Sequence, residues 1–314
     1  MIFRRPKSSE ADDEQEFAAR EDPYNVTQAS RIYFLPNLMT AGNLFCGFAS
    51  VIKCIQARLI TDGGEYAALH PNLSWVALYS QAVWLILAAV VFDSLDGRLA
   101  RMGGRTSLFG AEFDSLADVV SFGMAPALMV FFLILAPREQ YQWFRELGWI
   151  IAFIYLLCGA VRLARFNVIT NPLLHRAEAE STKDFLGLPI PAAAGTVATL
   201  VLLLLNMAVN ARELRQLTVA LPLILILVSF LMISTVRYPS FKQINWETRT
   251  RFRSFVGVIV AGTVIWRLQE VAFFFLFLAY IFYGLFAHYQ RGVRHVQMRA
   301  LRRKVVKMKQ ETSQ

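Results

Sequence analysis

The chain has 314 residues, of which 56% are hydrophobic and 25 are Phe, and it carries a formal net charge of +9. Apolar runs of that length in the middle of a sequence exclude an ordinary soluble domain. The positive charge alone would also suit nucleic acid. However, eight basic residues and no acid lie between Arg291 and Lys309, and a basic tail beside an apolar span meets anionic lipid headgroups, so membrane lipids are the expected partner and nucleic acid is not.

Residues 1–30 are polar and rich in Asp and Glu, the composition of a disordered or loosely helical tail. No apolar run follows directly on a basic start, so no cleavable signal peptide is expected. Ser30 to Pro36 reads as a short interfacial segment, with Pro36 opening a helix. The first span is expected from about Asn37 to Ile55, with Asn37, Thr40 and Asn43 recurring at helical spacing along it. Such a polar stripe either bonds a neighbouring helix or lines a ligand site. Further spans are expected over about Val76–Arg101, Gly110–Ala136, Gly148–Arg165, Pro189–Val209 and Val219–Val236. Phe252 to Tyr289 is too long for one crossing and reads as a tight hairpin turning near Arg267–Glu270.

The expected fold is therefore all-α, a polytopic membrane protein of about eight transmembrane helices. It comprises a polar tail (1–30), an embedded domain (31–290) and a basic tail (291–314). Lys and Arg crowd the side that holds both termini, which the positive-inside rule makes cytoplasmic, at the inner membrane. Cys46, Cys54 and Cys158 lie in or near apolar runs without metal-ligand spacing and read as small core residues. Arg162 and Arg165, at the end of the fourth span, are either interfacial anchors or holders of a carboxylate or phosphate. His175, in a polar loop, reads as solvated.

One stretch resists a purely structural explanation. It reads Asp93-x-x-Asp96-Gly97-x-x-Ala100-Arg101, eight residues, then Gly110-x-x-x-Asp114-x-x-x-Asp118, and it runs between two apolar segments. An Asp near a bilayer centre costs on the order of 3 kcal/mol. Two carboxylates about 4 Å apart repel by roughly 4 kcal/mol at an effective dielectric near 20. A divalent cation is the obvious compensation, since hard cations take oxygen ligands. At about 100° per residue, Asp93, Asp96, Gly97, Ala100 and Arg101 share an arc of about 140° on one helix. Gly110, Asp114 and Asp118 share a face of the next, with a break expected at Met102-Gly103-Gly104. The four carboxylates are expected to converge on one polar cavity. Arg101 is placed to grip a phosphate in a fork geometry.

This segment resembles, at every defining position, the signature of the CDP-alcohol phosphotransferases. The resemblance implies a six-helix core, a homodimer and one or two Mg²⁺ or Mn²⁺ ions held by Asp93, Asp96, Asp114 and Asp118. It also implies that Asp118 is the general base, and that Asn37, Thr40, Gly97, Ala100, Arg101, Ser107 and Gly110 line the nucleotide and diphosphate path. The softer segments Leu35–Phe48, Ser121–Pro126, Arg162–Asn167, Gly187–Pro191 and Tyr238–Lys242 resemble the phosphatidylserine-forming branch of the family. That implies transfer of a phosphatidyl group from CDP-diacylglycerol to L-serine with release of CMP. The alternatives are another acceptor, glycerol 3-phosphate or inositol phosphate, and, in a different class, an ion-coupled transporter. The transporter's expected mark, an inverted repeat, is not apparent.

Overall fold

A computed structural model describes residues 34–102, 108–135, 142–170, 184–209, 220–239 and 271–291. Helix α1 spans Phe34–Asp62, and its 29 residues extend about 43 Å, well beyond a hydrocarbon layer of about 30 Å. It therefore runs past the expected Ile55 into a polar end, where Arg58 pairs with Asp62 at 2.7 Å, one turn on. Gly63 and Gly64, at φ 77° and 89°, then stop it in the backbone region that only glycine enters cheaply. A short helix α2 (Glu65–Leu69) leads to α3 (Trp75–Met102). This ends at Met102, where the Gly pair was expected to break it.

The next crossing is not a uniform helix. α4 (Leu108–Asp118) passes into a π-helical turn, Val119–Met124, then α5 (Ala125–Val130) and a second π turn, Phe131–Leu135. Sequence reading did not anticipate these wider turns. The first has a local cause in Pro126, which has no N–H for the carbonyl one turn back. Tyr155 Oη donates to that carbonyl, Phe122 O, at 3.1 Å. Helix α6 (Gln142–Thr170) follows, then strand β1 (Asp184–Leu186), α7 (Ile190–Val209), α8 (Ala220–Ile233), strand β2 (Arg237–Pro239) and α9 (Val271–Arg291).

Among the described residues six helical segments are long and apolar enough to cross a membrane, and α8 is a shorter apolar helix at the sixth expected span. The chain is thus a multi-pass membrane protein of all-α class. The expected arm Phe252–Trp266 lies outside the described residues, as do the tails before Phe34 and after Arg291. The two strands form a small antiparallel ladder with Phe185 opposite Tyr238. Gly187, at φ 80°, continues it by donating its N–H to Val236 O at 2.8 Å.

Burial follows membrane logic. The interior is built from residues such as Ala82, Val83, Ile86, Phe122, Val197 and Val201, while Phe45, Phe48, Phe230, Phe282 and Phe286 stand exposed on outer faces, as in a lipid-facing surface. With lipid as apolar as the core, close approach of small residues holds the helices together. Gly47 of α1 lies directly against the backbone of Ser121, leaving no room for a methyl group. Ser121 Oγ also donates to Asn43 O at 2.9 Å, so α1 and the π turn are locked in register. Gly47→Ala is expected to destabilise the protein by about 1–3 kcal/mol through overpacking against main chain. Thermal unfolding in detergent micelles would show a lowered midpoint, and an unchanged midpoint would mean the contact is slack.

Candidate active site

The site forms where α1, α3 and α4 meet. Asp114 and Asp118 are four residues apart on α4 and share a face. Asp93 and Asp96 are three apart on α3, so they point about 60° away from each other around its axis. That difference divides the four acids. Asp93, Asp114 and Asp118 each bring a carboxylate oxygen to within 4.8 Å of the others. Asp96 stands outside this triad. It is 5% exposed and accepts a hydrogen bond from Thr40 Oγ1 at 3.1 Å. The expected four-acid cavity is therefore a triad with a fourth acid turned toward α1, though still within electrostatic reach of Asp93 and Asp114.

Thr40 has one proton and two acceptors, Asp96 Oδ2 at 3.1 Å and Pro36 O at 3.2 Å. A carboxylate accepts the stronger bond. On the same stripe, Asn43 is fully buried and its Nδ2 donates to Asp118 Oδ1 at 3.1 Å. Its Oδ1 has no hydrogen-bond partner, and neither does the buried Nδ2 of Asn37. The polar stripe of α1 thus bonds neighbouring helices through Thr40 and Asn43, and it carries buried polar atoms without a partner at Asn37 and Asn43.

Three hard oxygen donors so close together are a set that a divalent cation satisfies. Without a cation they would repel one another in a region poor in water. Gly97 and Gly110 are both half-buried on the helices that carry the acids. Ala100 and Arg101 lie on the last turn of α3, but their side chains are outside what the structure describes, and Ser107 lies outside the described residues.

The two arginines of α6 separate into different roles. Arg165 is committed to main chain: its Nη1 donates to Ile233 O at 2.9 Å and its Nη2 to Leu186 O at 3.0 Å, with longer contacts to Met232 O and Ser234 O. It fastens the ladder and the end of α8 to α6. Arg162 is 7% exposed, and its Nε has no hydrogen-bond partner. It lies within electrostatic reach of Asp118, Arg165, Tyr280 and Asp93 and sits 5.8 Å over the Phe166 ring. Tyr238, on β2, is fully buried, and its hydroxyl also lacks a partner. Burial pushes that phenol up to about 12, so it is a protonated donor at neutral pH. Its ring packs at 5.7 Å from that of Tyr280.

Asn43 as the partner of Asp118, and Tyr280 within electrostatic reach of Arg162 with the Tyr238 ring packed against it, were not assigned from sequence. Asn43 had a signal, its place on the polar stripe. The tyrosines had none, because no spacing links them to α6.

The profile of the CDP-alcohol phosphatidyltransferase family matches residues 33–231. A CDP-diacylglycerol–serine O-phosphatidyltransferase of Helicobacter pylori is 33% identical over 81% of this chain and 90% of its own. A protein of the same name from Methanocaldococcus jannaschii is 34% identical over 59% of this chain and 76% of its own. Another, from Saccharomyces cerevisiae, is 34% identical over 65% of this chain and 62% of its own.

Neutralising any acid of the triad, as in Asp93→Asn or Asp114→Asn, is expected to weaken Mn²⁺ binding by at least about tenfold, a loss of about 1.4 kcal/mol. Asp96→Asn should cost less. Titration of Mn²⁺ by electron paramagnetic resonance checks the order, and equal losses at all four acids would erase the division between triad and fourth acid.

Proposed function

The chain belongs to the CDP-alcohol phosphatidyltransferase family, and from that premise we propose that its residues serve one reaction. It transfers the phosphatidyl group of CDP-diacylglycerol to L-serine, giving phosphatidylserine and CMP. The observation that carries this reading is the triad of Asp93, Asp114 and Asp118, with Asp118 held by Asn43. The relatives named for serine transfer support the acceptor.

Asp93, Asp114 and Asp118 would hold Mg²⁺ or Mn²⁺, with Asp96 available as a further ligand for a second ion. When bound, such a cation supplies positive charge against the diphosphate. The other steps belong to the chain. Asn37 and Thr40 line the nucleotide path with Gly97, Ala100, Ser107 and Gly110, and the small residues leave space for a ligand to approach. Family resemblance assigns Arg101 to the leaving phosphate, where a guanidinium would steady the charge that develops on CMP. Asp118 takes the proton of the serine hydroxyl as its oxygen attacks the phosphorus bearing the diacylglycerol, and the bond from that phosphorus to CMP breaks. The hydrogen bond from Asn43 fixes one oxygen of Asp118 and so orients the carboxylate. Arg162, buried and close to Asp118, is the side chain for the serine carboxylate.

A lipid donor requires a site reachable from the bilayer, and the signature lies on two membrane-crossing segments. The excess of Lys and Arg on the side of the termini supports a cytoplasmic active site at the inner membrane. The domain limits belong to the same reading: 1–30 and 291–314 as tails, 31–290 as the embedded unit. Family resemblance supports a homodimer.

Membranes containing the protein should release CMP from CDP-diacylglycerol when L-serine is added. Use of glycerol 3-phosphate or inositol phosphate without serine would overturn the acceptor. Asp118→Asn should abolish turnover while binding of the CDP-lipid largely survives; normal turnover in that variant would remove Asp118 as base. A chelator should stop the reaction, and added Mg²⁺ or Mn²⁺ should restore it.

A further inference from the structure

Asn43 carries an acceptor that the folded chain leaves unanswered. Its side chain is fully buried. Nδ2 donates to Asp118 Oδ1 at 3.1 Å, and this fixes which way round the amide sits, because an ionised carboxylate accepts and never donates. Oδ1 is the other end of the same planar amide, and it has no hydrogen-bond partner. Buried polar atoms are almost always paired, so an orphan amide oxygen marks the place of a missing donor.

The neighbouring donors are spent. The Ser121 hydroxyl goes to the main-chain oxygen of Asn43 at 2.9 Å. The single proton of Thr40 has Asp96 and Pro36 O to serve. Asn37 Nδ2 also lacks a partner, but six residues of helix set it about 9 Å away along the axis. Nor is Asn43 able to turn elsewhere. Ser121 holds its carbonyl, Gly42 packs close to the Phe92 ring, and Gly47 lies against the Ser121 backbone. An oxygen held in this way, one covalent angle from the atom that touches Asp118, is placed for a donor that enters with the substrate.

Serine offers the matching group. In the reading above its hydroxyl goes to Asp118 and its carboxylate to Arg162, which leaves the ammonium without a partner. The ammonium stands on the carbon next to the one that bears the hydroxyl. A serine engaged at Asp118 therefore brings its N–H donors to the adjoining amide. We propose that Asn43 Oδ1 accepts a hydrogen bond from the ammonium of the acceptor, so that one amide both orients the base and reads the amino group. This rests on the serine reading above and adds a specificity-determining contact to it. An acceptor without the amine leaves the buried oxygen unanswered, which disfavours it.

The test sets L-serine against 3-hydroxypropionate, which keeps the hydroxyl and the carboxylate and lacks the ammonium, in membranes at saturating Mn²⁺. In wild type the Ki of 3-hydroxypropionate against serine should lie at least about tenfold above the KM for serine, the loss of one hydrogen bond to a charged group. In Asn43→Ala the serine KM should rise about tenfold while that Ki moves by under about twofold, so the two constants converge. kcat should fall as well, since Asp118 loses its bond from Nδ2. That loss acts on the hydroxyl, which both molecules share, and does not produce the convergence. Asn43→Leu, close to Asn in shape and suited to a membrane helix, gives the same comparison if the alanine variant does not accumulate. Equal changes in KM and Ki, or none, overturn the contact and leave Asn43 as a positioning residue for Asp118. A wild-type Ki equal to the serine KM overturns it too. So does a loss of Mn²⁺ affinity in Asn43→Ala as large as in Asp93→Asn, which makes Oδ1 a cation ligand instead. A wild type inert toward serine overturns the acceptor assignment, and this contact with it.

Discussion

Like charge gathered inside an apolar layer is the constraint on which this molecule depends. Asp93, Asp114 and Asp118 bring their oxygens together on helices that otherwise carry almost nothing but hydrocarbon. Neither hydrophobic burial nor helix propensity favours that arrangement. A cation taken up between the acids would relieve that repulsion, and the helix pairing brings together three oxygens that could hold one. The packing of α1 against the π turn serves the same end. Gly47 and Ser121 set the distance between backbones, and at that distance Asn43 reaches Asp118.

The widened turn after Asp118 is part of this geometry. π-helical turns commonly occur beside functional groups, because the extra residue changes which side chains face inward. Here the turn brings Ser121 to α1 and leaves Phe122 O to Tyr155 of α6. A regular helix through Pro126 would have left that carbonyl without a donor. One irregular turn thus ties the acid-bearing helix to a neighbour on each side.

Much of this was legible in the sequence. Hydropathy located seven of the expected spans, at α1, α3, α4–α5, α6, α7, α8 and α9, within a turn or two of their ends. The carboxylate spacing pointed to the candidate site, because helical periodicity is rigid, and three of the four acids do come together there. The finer partition was not legible. The angular gap between Asp93 and Asp96 is implicit in their spacing, yet which one faces the triad depends on how α3 is rotated against α1 and α4. Arg162 and Arg165 look alike on paper, three residues apart on one helix. Only the fold shows one beside the acids and the other closing main-chain carbonyls. The ladder, at three residues per strand, is too short to leave a periodic pattern, and the tyrosine pair is assembled from segments more than forty positions apart.

Every hydrogen-bond partner that Arg165 takes is a peptide oxygen. Such a clasp is indifferent to side-chain identity: any residue at 186, 232, 233 or 234 that keeps the backbone path offers the same oxygen. This clasp therefore places no demand on the side chains of the strand that follows; only the buried ring of Tyr238 does. A side-chain exchange in the loop before the strand would thus leave the acid-bearing helices untouched.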